Sequence, residues 1–397
     1  MGRRRVVSAC VVALTACADT RSEVDEVTVR DSAGIRIVTN PESVSDLPRW
    51  EIAPEPSVEI GGGETTAHQL YSVVGAVRLG DGRIVVADGG SSELRFYDDV
   101  GRHLRSSGRA GEGPGEFRRM MGLGRVRGDS LVVYDVGLQR LQVFDPEGEY
   151  VRGYRPEAGA EIPLGAVRDV FEDGSLLVQR FLTGADIAAG RVWNRVEMHR
   201  FSSSGEYIGG LLPTGGSEAY IEPDDDGGFW FTRPLFAGRS EIVVAALKLY
   251  AASTTSPEVQ VWSADGQLGL LIRRSGEPRR VTDGDRSLQA EELLEASDPR
   301  ERERMVSAFA RMSVPDVMPA FGRLTVDDAA NVWVEDYRVT ESEASHWFVY
   351  GPDGRLRAEA DWPAGVEPYH VGADFLLGLW RDDLDAEHVR LYRIMKP

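Results

Sequence analysis

The chain has 397 residues, 42% of them hydrophobic and 27% charged, with 45 basic against 64 acidic side chains and a net charge of -19. A field of that sign repels nucleic acid and anionic lipid headgroups, which excludes both as partners for the folded body. The length suits two or three average domains or one large all-β domain.

The N-terminus reads "MGRRRVVSACVVALTAC": three arginines, a short apolar run, then Leu14-Thr15-Ala16-Cys17. Basic, apolar and small-residue regions in that order predict a secretory signal peptide over residues 1–16, too short to span a bilayer. The ending Leu-Thr-Ala-Cys resembles the lipobox of bacterial lipoproteins. That resemblance implies diacylglycerol on the Cys17 sulfur, Cys17 as the mature N-terminus, and membrane attachment through the lipid. Ala18, in place of aspartate, favours the outer membrane within the bacterial cell envelope, facing the periplasm or the cell surface. The alternative is a chain that is simply secreted, and the choice between general and twin-arginine export stays open. Residues 17–47 read as a tether and N-terminal extension. Cys10, the other cysteine, lies in the signal, so neither a disulfide nor a cysteine-ligated metal is expected in the body.

From Ile84 a repeat begins. "IVVADGGSSELRFYDDVGRHLR" and "LVVYDVGLQRLQVFDPEGEYVR" lie 47 residues apart and share eight of 22 positions, including Val85, Val86, Asp88 and Gly101. A period of 40 to 50 in β-rich sequence marks a propeller. A shorter signature recurs at Tyr97, Phe144, Phe201, Trp262 and Tyr350: an aromatic, three turn residues, glycine, then a new strand. Each copy predicts a hairpin whose glycine supplies a positive φ. Blades are expected at about 71–108, 118–155, 165–212, 218–273 and 318–359, with a sixth from Val366. Its three C-terminal strands need a fourth, and "PRWEIAPEPSVEIGG" at 48–62 is the natural donor, closing the ring without an exposed edge.

"GRAGEGPGEF", Gly108 to Phe117, looks at first like a phosphate loop. It lacks the Gly-Lys-Ser/Thr ending of the Walker type, and no helix opens on it as a dinucleotide loop requires. It falls between the last strand of one blade and the first of the next, where the chain turns sharply. With that glycine-rich crossing, the repeat resembles the NHL-type six-bladed β-propellers over about residues 48–397. The resemblance implies an all-β six-bladed propeller and a habit of binding through one face; it implies no reaction.

One segment breaks the period. "DRSLQAEELLEASDPRERERMVSAFARM" predicts a helical insertion at about 285–312, with Met305, Phe309 and Met312 on one face. Asp298 and Pro299 read as a helix cap. The insertion is expected to pack on the disc; an arm over one face is the other reading.

Some propellers resembling this one hold calcium through Glu, Asn and Asp, or zinc through histidines, with ligands converging from several blades. His68 and His370 fall on blades that ring closure makes neighbours, yet two unrelated polar residues are the plainer reading. "EPDDDGG", Glu222 to Gly228, lacks the spacing and terminal glutamate of an EF-hand loop and reads as a solvated turn. Asp88, Asp135 and Asp336 repeat through blades, which suits turn-fixing scaffold. Arg180, Arg233 and His370 are the expected channel-lining residues; no catalytic residue is assigned. No cofactor is predicted, with calcium or zinc implied only if the chain is a lactonase-like hydrolase or lyase. The leading expectation is a non-catalytic binding or scaffold lipoprotein contacting a protein, peptide or glycan.

Overall fold

The computed structural model describes residues 26–42, 44, 46–63, 65, 68–157, 166–182, 189–224, 227–341 and 345–397. The signal segment and Cys17 lie outside the described residues. Short runs of β-branched and aromatic residues, broken by glycine turns, form antiparallel meanders. In chain order they are β1 (Thr28–Ser32) and β2 (Ile35–Asn40), then β3 (Glu51–Ile52) and β4 (Val58–Gly61). Sheet 1 follows with β5 (Val73–Arg78), β6 (Ile84–Asp88), β7 (Glu93–Tyr97) and β8 (His103–Ser107). Sheet 2 has β9 (Met120–Arg125), β10 (Leu131–Asp135), β11 (Arg140–Phe144) and β12 (Tyr150–Tyr154). Sheet 3 has β13 (Ala166–Val170), β14 (Leu176–Phe181), β15 (Gly190–Phe201), β16 (Tyr207–Pro223) and β17 (Phe229–Thr232). Sheet 4 has β18 (Ser240–Ala245), β19 (Lys248–Ser253), β20 (Glu258–Ser263) and β21 (Leu268–Arg274). After the helices α1 (Asp283–Glu295) and α2 (Arg302–Arg311) comes sheet 5: β22 (Leu324–Val326), β23 (Val332–Glu335), β24 (Ser345–Tyr350) and β25 (Leu356–Trp362). Sheet 6 has β26 (Glu367–Val371), β27 (Phe375–Arg381) and β28 (Glu387–Met395).

Sheet 6 is completed by β3 and β4, both antiparallel to β28, so the N-terminal stretch that sequence pattern nominates does supply the missing strand. Six hydrophobic clusters then join each sheet to the next: 1 to 2, 2 to 3, 3 to 4, 4 to 5, 5 to 6, and 6 back to 1. The arrangement is a mostly-β, propeller-like ring of sheets, with the cores between faces that each sheet could not bury alone.

The hairpin glycines have a second reason to be glycine. Gly148 has φ +80°, and a Cβ there would lie 2.6 Å from the fully buried Phe96 of the preceding sheet. The hairpin of one sheet leans on its neighbour, so the glycine sets both the turn and the spacing between sheets.

Two features depart from the sequence reading. The extension before residue 48 includes strands: β2 pairs parallel with β21 and β1 pairs with β2, widening sheet 4. Ile37, Val38 and Asn40 are buried there, which gives "IRIVTN" an apolar face to cover. Secondly, residues 218–223 belong to sheet 3 rather than opening the next sheet. The long β15–β16 ladder carries them, and β17 pairs with β16.

The helices sit where the innermost strands begin. Ala308, Met312, Leu235, Phe236 and Tyr337 are buried together beneath them, with Phe309 half-buried in the same cluster. The cap lies earlier than Asp298: Thr282 caps α1 in a reciprocal box with Asp285, while Glu301 precedes α2 with no side-chain cap. Asp298 instead accepts the Arg300 N–H at 2.8 Å, fixing the turn between the helices.

Candidate functional site

The first strands of sheets 1, 2 and 3 line a cavity of about 250 Å³, with Gly75, Gly122 and Gly124 keeping it open and Tyr369 closing one side. Asp169 of β13 is the acid that reaches it. Its carboxylate accepts the Val170 N–H at 2.7 Å and the Val244 N–H at 3.2 Å, tying sheet 3 to sheet 4. Burial nevertheless pushes its pKa up to about 6, against those N–H groups and the charge of Arg168.

At the far end of the innermost strands a polar network crosses the ring. Arg125 of β9 donates to Asp328 at 3.1 Å and to the Arg78 carbonyl at 3.0 Å. His370 Nε2 lies 3.1 Å from both Asp328 oxygens, and its Nδ1 accepts the Arg78 N–H at 3.1 Å. The His370 ring stands edge-on to Phe375 with centroids 5.0 Å apart. Burial raises the Asp328 pKa, but His370 and Arg125 outweigh it and hold the carboxyl below its usual value. Residues from four sheets thus meet in one network around Asp328.

The three expected channel residues do not meet. His370 is in that network. Arg180 lies on β14, bonded to Glu197 (Nε to Oε2, 3.0 Å), which also faces His199 at 3.2 Å. Arg233 follows β17, near Tyr337 under the helices, where its charge lowers the tyrosine pKa that burial raises. His68 and His370 also stay apart: His68 bonds Thr65 at 3.0 Å and stacks edge-on with Tyr97.

Scaffold roles are clearer. Asp88 accepts from Gly90 N–H and Tyr71 N–H, and Asp135 from Arg118, Arg119 and Leu138 N–H. Each carboxylate therefore pins both the following turn and the segment entering the innermost strand. In sheet 5 Asp336 stands at the matching register, one residue past the Glu335–Trp347 pair, and its carboxylate accepts the Tyr337 N–H at 3.1 Å; the buried Glu335 before it bonds Ser345 at 2.6 Å and Arg338 at 2.9 Å. The alignment of "VWVED" with "VVYD" thus holds in register, while the buried carboxylate of sheet 5 belongs to Glu335 one residue earlier and bonds side chains rather than turn N–H groups.

The crossing "GRAGEGPGEF" is filled by its own protein. Arg140 donates to the carbonyls of Glu112, Gly113 and Glu116, and Gln142 accepts the Gly115 N–H. Glu222 and Asp224 of "EPDDDGG" hold α2, through Arg311 at 2.7 Å and Arg304 at 2.6 Å; residues 225 and 226 lie outside the described residues. Their partners are 80 and more positions away, so no local spacing announces the role.

A second cavity, about 270 Å³, opens between sheets 4 and 5 at the roots of the helices. Val259, Ile272, Phe321, Val334, Phe348 and Tyr350 wall it, with Arg274 and Arg279 among its polar groups. Sequence reasoning missed it, since its walls come from two sheets and both stems of the insertion. Among the described residues, no three His, Cys, Asp or Glu side chains gather as metal ligands do.

No family matches the sequence. No curated protein matches it either. Solved structures do. An exported protein from Bacteroides fragilis superposes with a TM-score of 0.50 at 10% identity, over 91% of this chain and 99% of that one. A member of the DUF4221 family from Bacteroides vulgatus gives 0.51 at 10% identity, over 89% and 100%. Virginiamycin B lyase from Staphylococcus aureus is more distant, at 0.39 and 9% identity over 87% and 99%. At such identities the first two likenesses speak to the fold alone.

Proposed function

We propose that the chain is a lipid-anchored, six-bladed propeller of the NHL kind in the bacterial cell envelope. It works as a non-catalytic binding module, contacting a protein, peptide or glycan through the face that carries α1 and α2. The observation that carries this reading is the state of Asp328. A lactonase-like centre needs carboxylates free to converge on a metal. Here Asp328 is taken up by Arg125 and His370, whereas the helix-bearing face presents an open apolar cavity. Attachment rests on the Leu-Thr-Ala-Cys sequence at Cys17, and the exported relative in fold is in keeping with it.

Two experiments test the reading. Mass spectrometry of the chain produced in bacteria should find diacylglycerol on Cys17, and Cys17→Ala should move the protein from the membrane to the soluble fraction. Crosslinking from Leu288 and Val306, exposed on the helices, should capture a discrete envelope partner. One calcium or zinc held per chain after chelator-free purification, with turnover of lactones or esters, would replace this reading by the hydrolase one.

A further inference from the structure

The cavity between sheets 4 and 5 has a chemical character that the overall charge conceals. Most arginines near carboxylates in this chain are paired: Arg273 with Glu258 at 2.6 Å, Arg338 with Glu335 at 2.9 Å, Arg191 with Glu218. Arg274, the last residue of β21, and Arg279, on the segment that follows it, take part in no ion pair among the described residues. Arg274 lies 3.6 Å from the centroid of the Phe348 ring, and its Nε and Nη2 donate to the Glu42 carbonyl. Arg279 gives one N–H to the Tyr337 carbonyl at 3.2 Å. Both guanidinium groups keep donors in reserve, since each has five.

A second, independent observation points inward. Tyr350 is 3% exposed and lines this cavity, and no hydrogen bond among the described residues takes up its hydroxyl, which is therefore open to the cavity rather than sealed in the core.

We infer that this cavity binds an amphipathic carboxylate. The apolar body lies between Ile272, Phe321, Val334 and Phe348; the carboxylate accepts from Arg274, Arg279 and the Tyr350 hydroxyl. The volume is nearly twice the roughly 150 Å³ apolar cavity that admits benzene, enough for a medium-chain acid or one apolar residue of a peptide C-terminus. This deepens the binding-module reading by naming what the helix-bearing face recognises. The acids at the mouth, Glu42, Glu277 and Asp336, would instead attract an amine, and the test separates the two.

The test titrates the purified protein with octanoate, octanamide and octylamine, reading tryptophan fluorescence and heat. Octanoate should bind saturably, and at least tenfold more tightly than octanamide. Arg279→Gln, at an exposed position, should weaken octanoate tenfold without changing the melting temperature of the free protein. Tyr350→Phe should weaken it about threefold. Peptides ending in leucine, as free acid or as amide, assign the source: a free-acid peptide that outbinds octanoate points to a polypeptide C-terminus, the reverse to a free acid. Preference for octylamine, equal affinity for acid and amide, an unaffected Arg279→Gln variant, or no binding overturns the inference. Where one of those results overturns the carboxylate site, an envelope partner still captured by crosslinking from Leu288 and Val306 leaves the wider binding role standing.

Discussion

The Arg125 guanidinium donates to the Asp328 carboxylate at 3.1 Å, joining residues 203 positions apart on sheets 2 and 5, which face each other across the ring. His370 of sheet 6 bonds the same carboxylate, and Arg78 of sheet 1 bonds His370. No sheet neighbour is needed for this contact, so it locks the diameter of the ring rather than its circumference.

Breaking that contact should loosen the ring modestly. The two side chains are 27% and 40% exposed, so solvent screens the pair and the expected coupling is about 1 kcal/mol. A double-mutant cycle of Arg125→Gln and Asp328→Asn by urea unfolding reads it; a coupling of zero refutes the cross-ring role. The pH sign follows from the lowered pKa of Asp328. Its stabilisation is present above the unfolded value of about 3.9 and vanishes as pH falls through the folded value.

Asp169 titrates with the opposite sign. Burial lifts its pKa to about 6, so its charged form costs stability above that pH, and the cost fades as pH falls toward 4. Because the residue is half-buried, roughly 1 kcal/mol is expected rather than the full value that a rise from 3.8 to about 6 implies. Unfolding free energies at pH 4.5 and 7.5 check this. The change from 7.5 to 4.5 should be more favourable in the wild type than in Asp169→Asn by about that amount; identical pH dependence counts against it.

Asn40, fully buried, should be among the costly polar positions. Its amide donates to the carbonyls of Gly354 at 2.9 Å and Arg273 at 3.1 Å, and its oxygen accepts the Leu356 N–H at 2.8 Å. Asn40→Leu strands all three partners and should cost about 2–4 kcal/mol in chemical denaturation. A loss below 0.5 kcal/mol would mean that β2 is not held by this clamp.

The hairpin glycines divide into two classes. Gly148→Ala meets both a positive φ and the Phe96 ring, and should cost more than 2 kcal/mol. Gly34→Ala, at φ +82° with nothing within 4 Å, should cost about 1 kcal/mol. Equal melting shifts for the two would remove the spacing role of Gly148.

How much was legible follows from how local each demand is. The aromatic-turn-glycine signature was readable because the turn needs a positive φ at one residue and an apolar strand on either side. The sixth sheet was readable because "AEHVRLYRIM" ends a three-strand unit and "PSVEIGG" matches its missing edge. Asp88 and Asp135 were readable since each acts on a turn two or three residues away. The buried carboxylate of Glu335 was not, because its bond to Ser345 exists only once β23 and β24 have paired.

By itself the sequence determined the period, the turns and the strand count of most sheets, since these depend on backbone preferences satisfied within a few residues. It also marked the helical segment, through the spacing of Met305, Phe309 and Met312. Only the tertiary structure decided that β2 joins β21, that Glu222 and Asp224 hold α2, that Arg125 meets Asp328, and that an apolar cavity opens between sheets 4 and 5. Those relationships join groups from 80 to more than 200 residues apart. Their energy comes from desolvation and charge at a place that exists only once the ring has closed, and no periodicity along the chain records it.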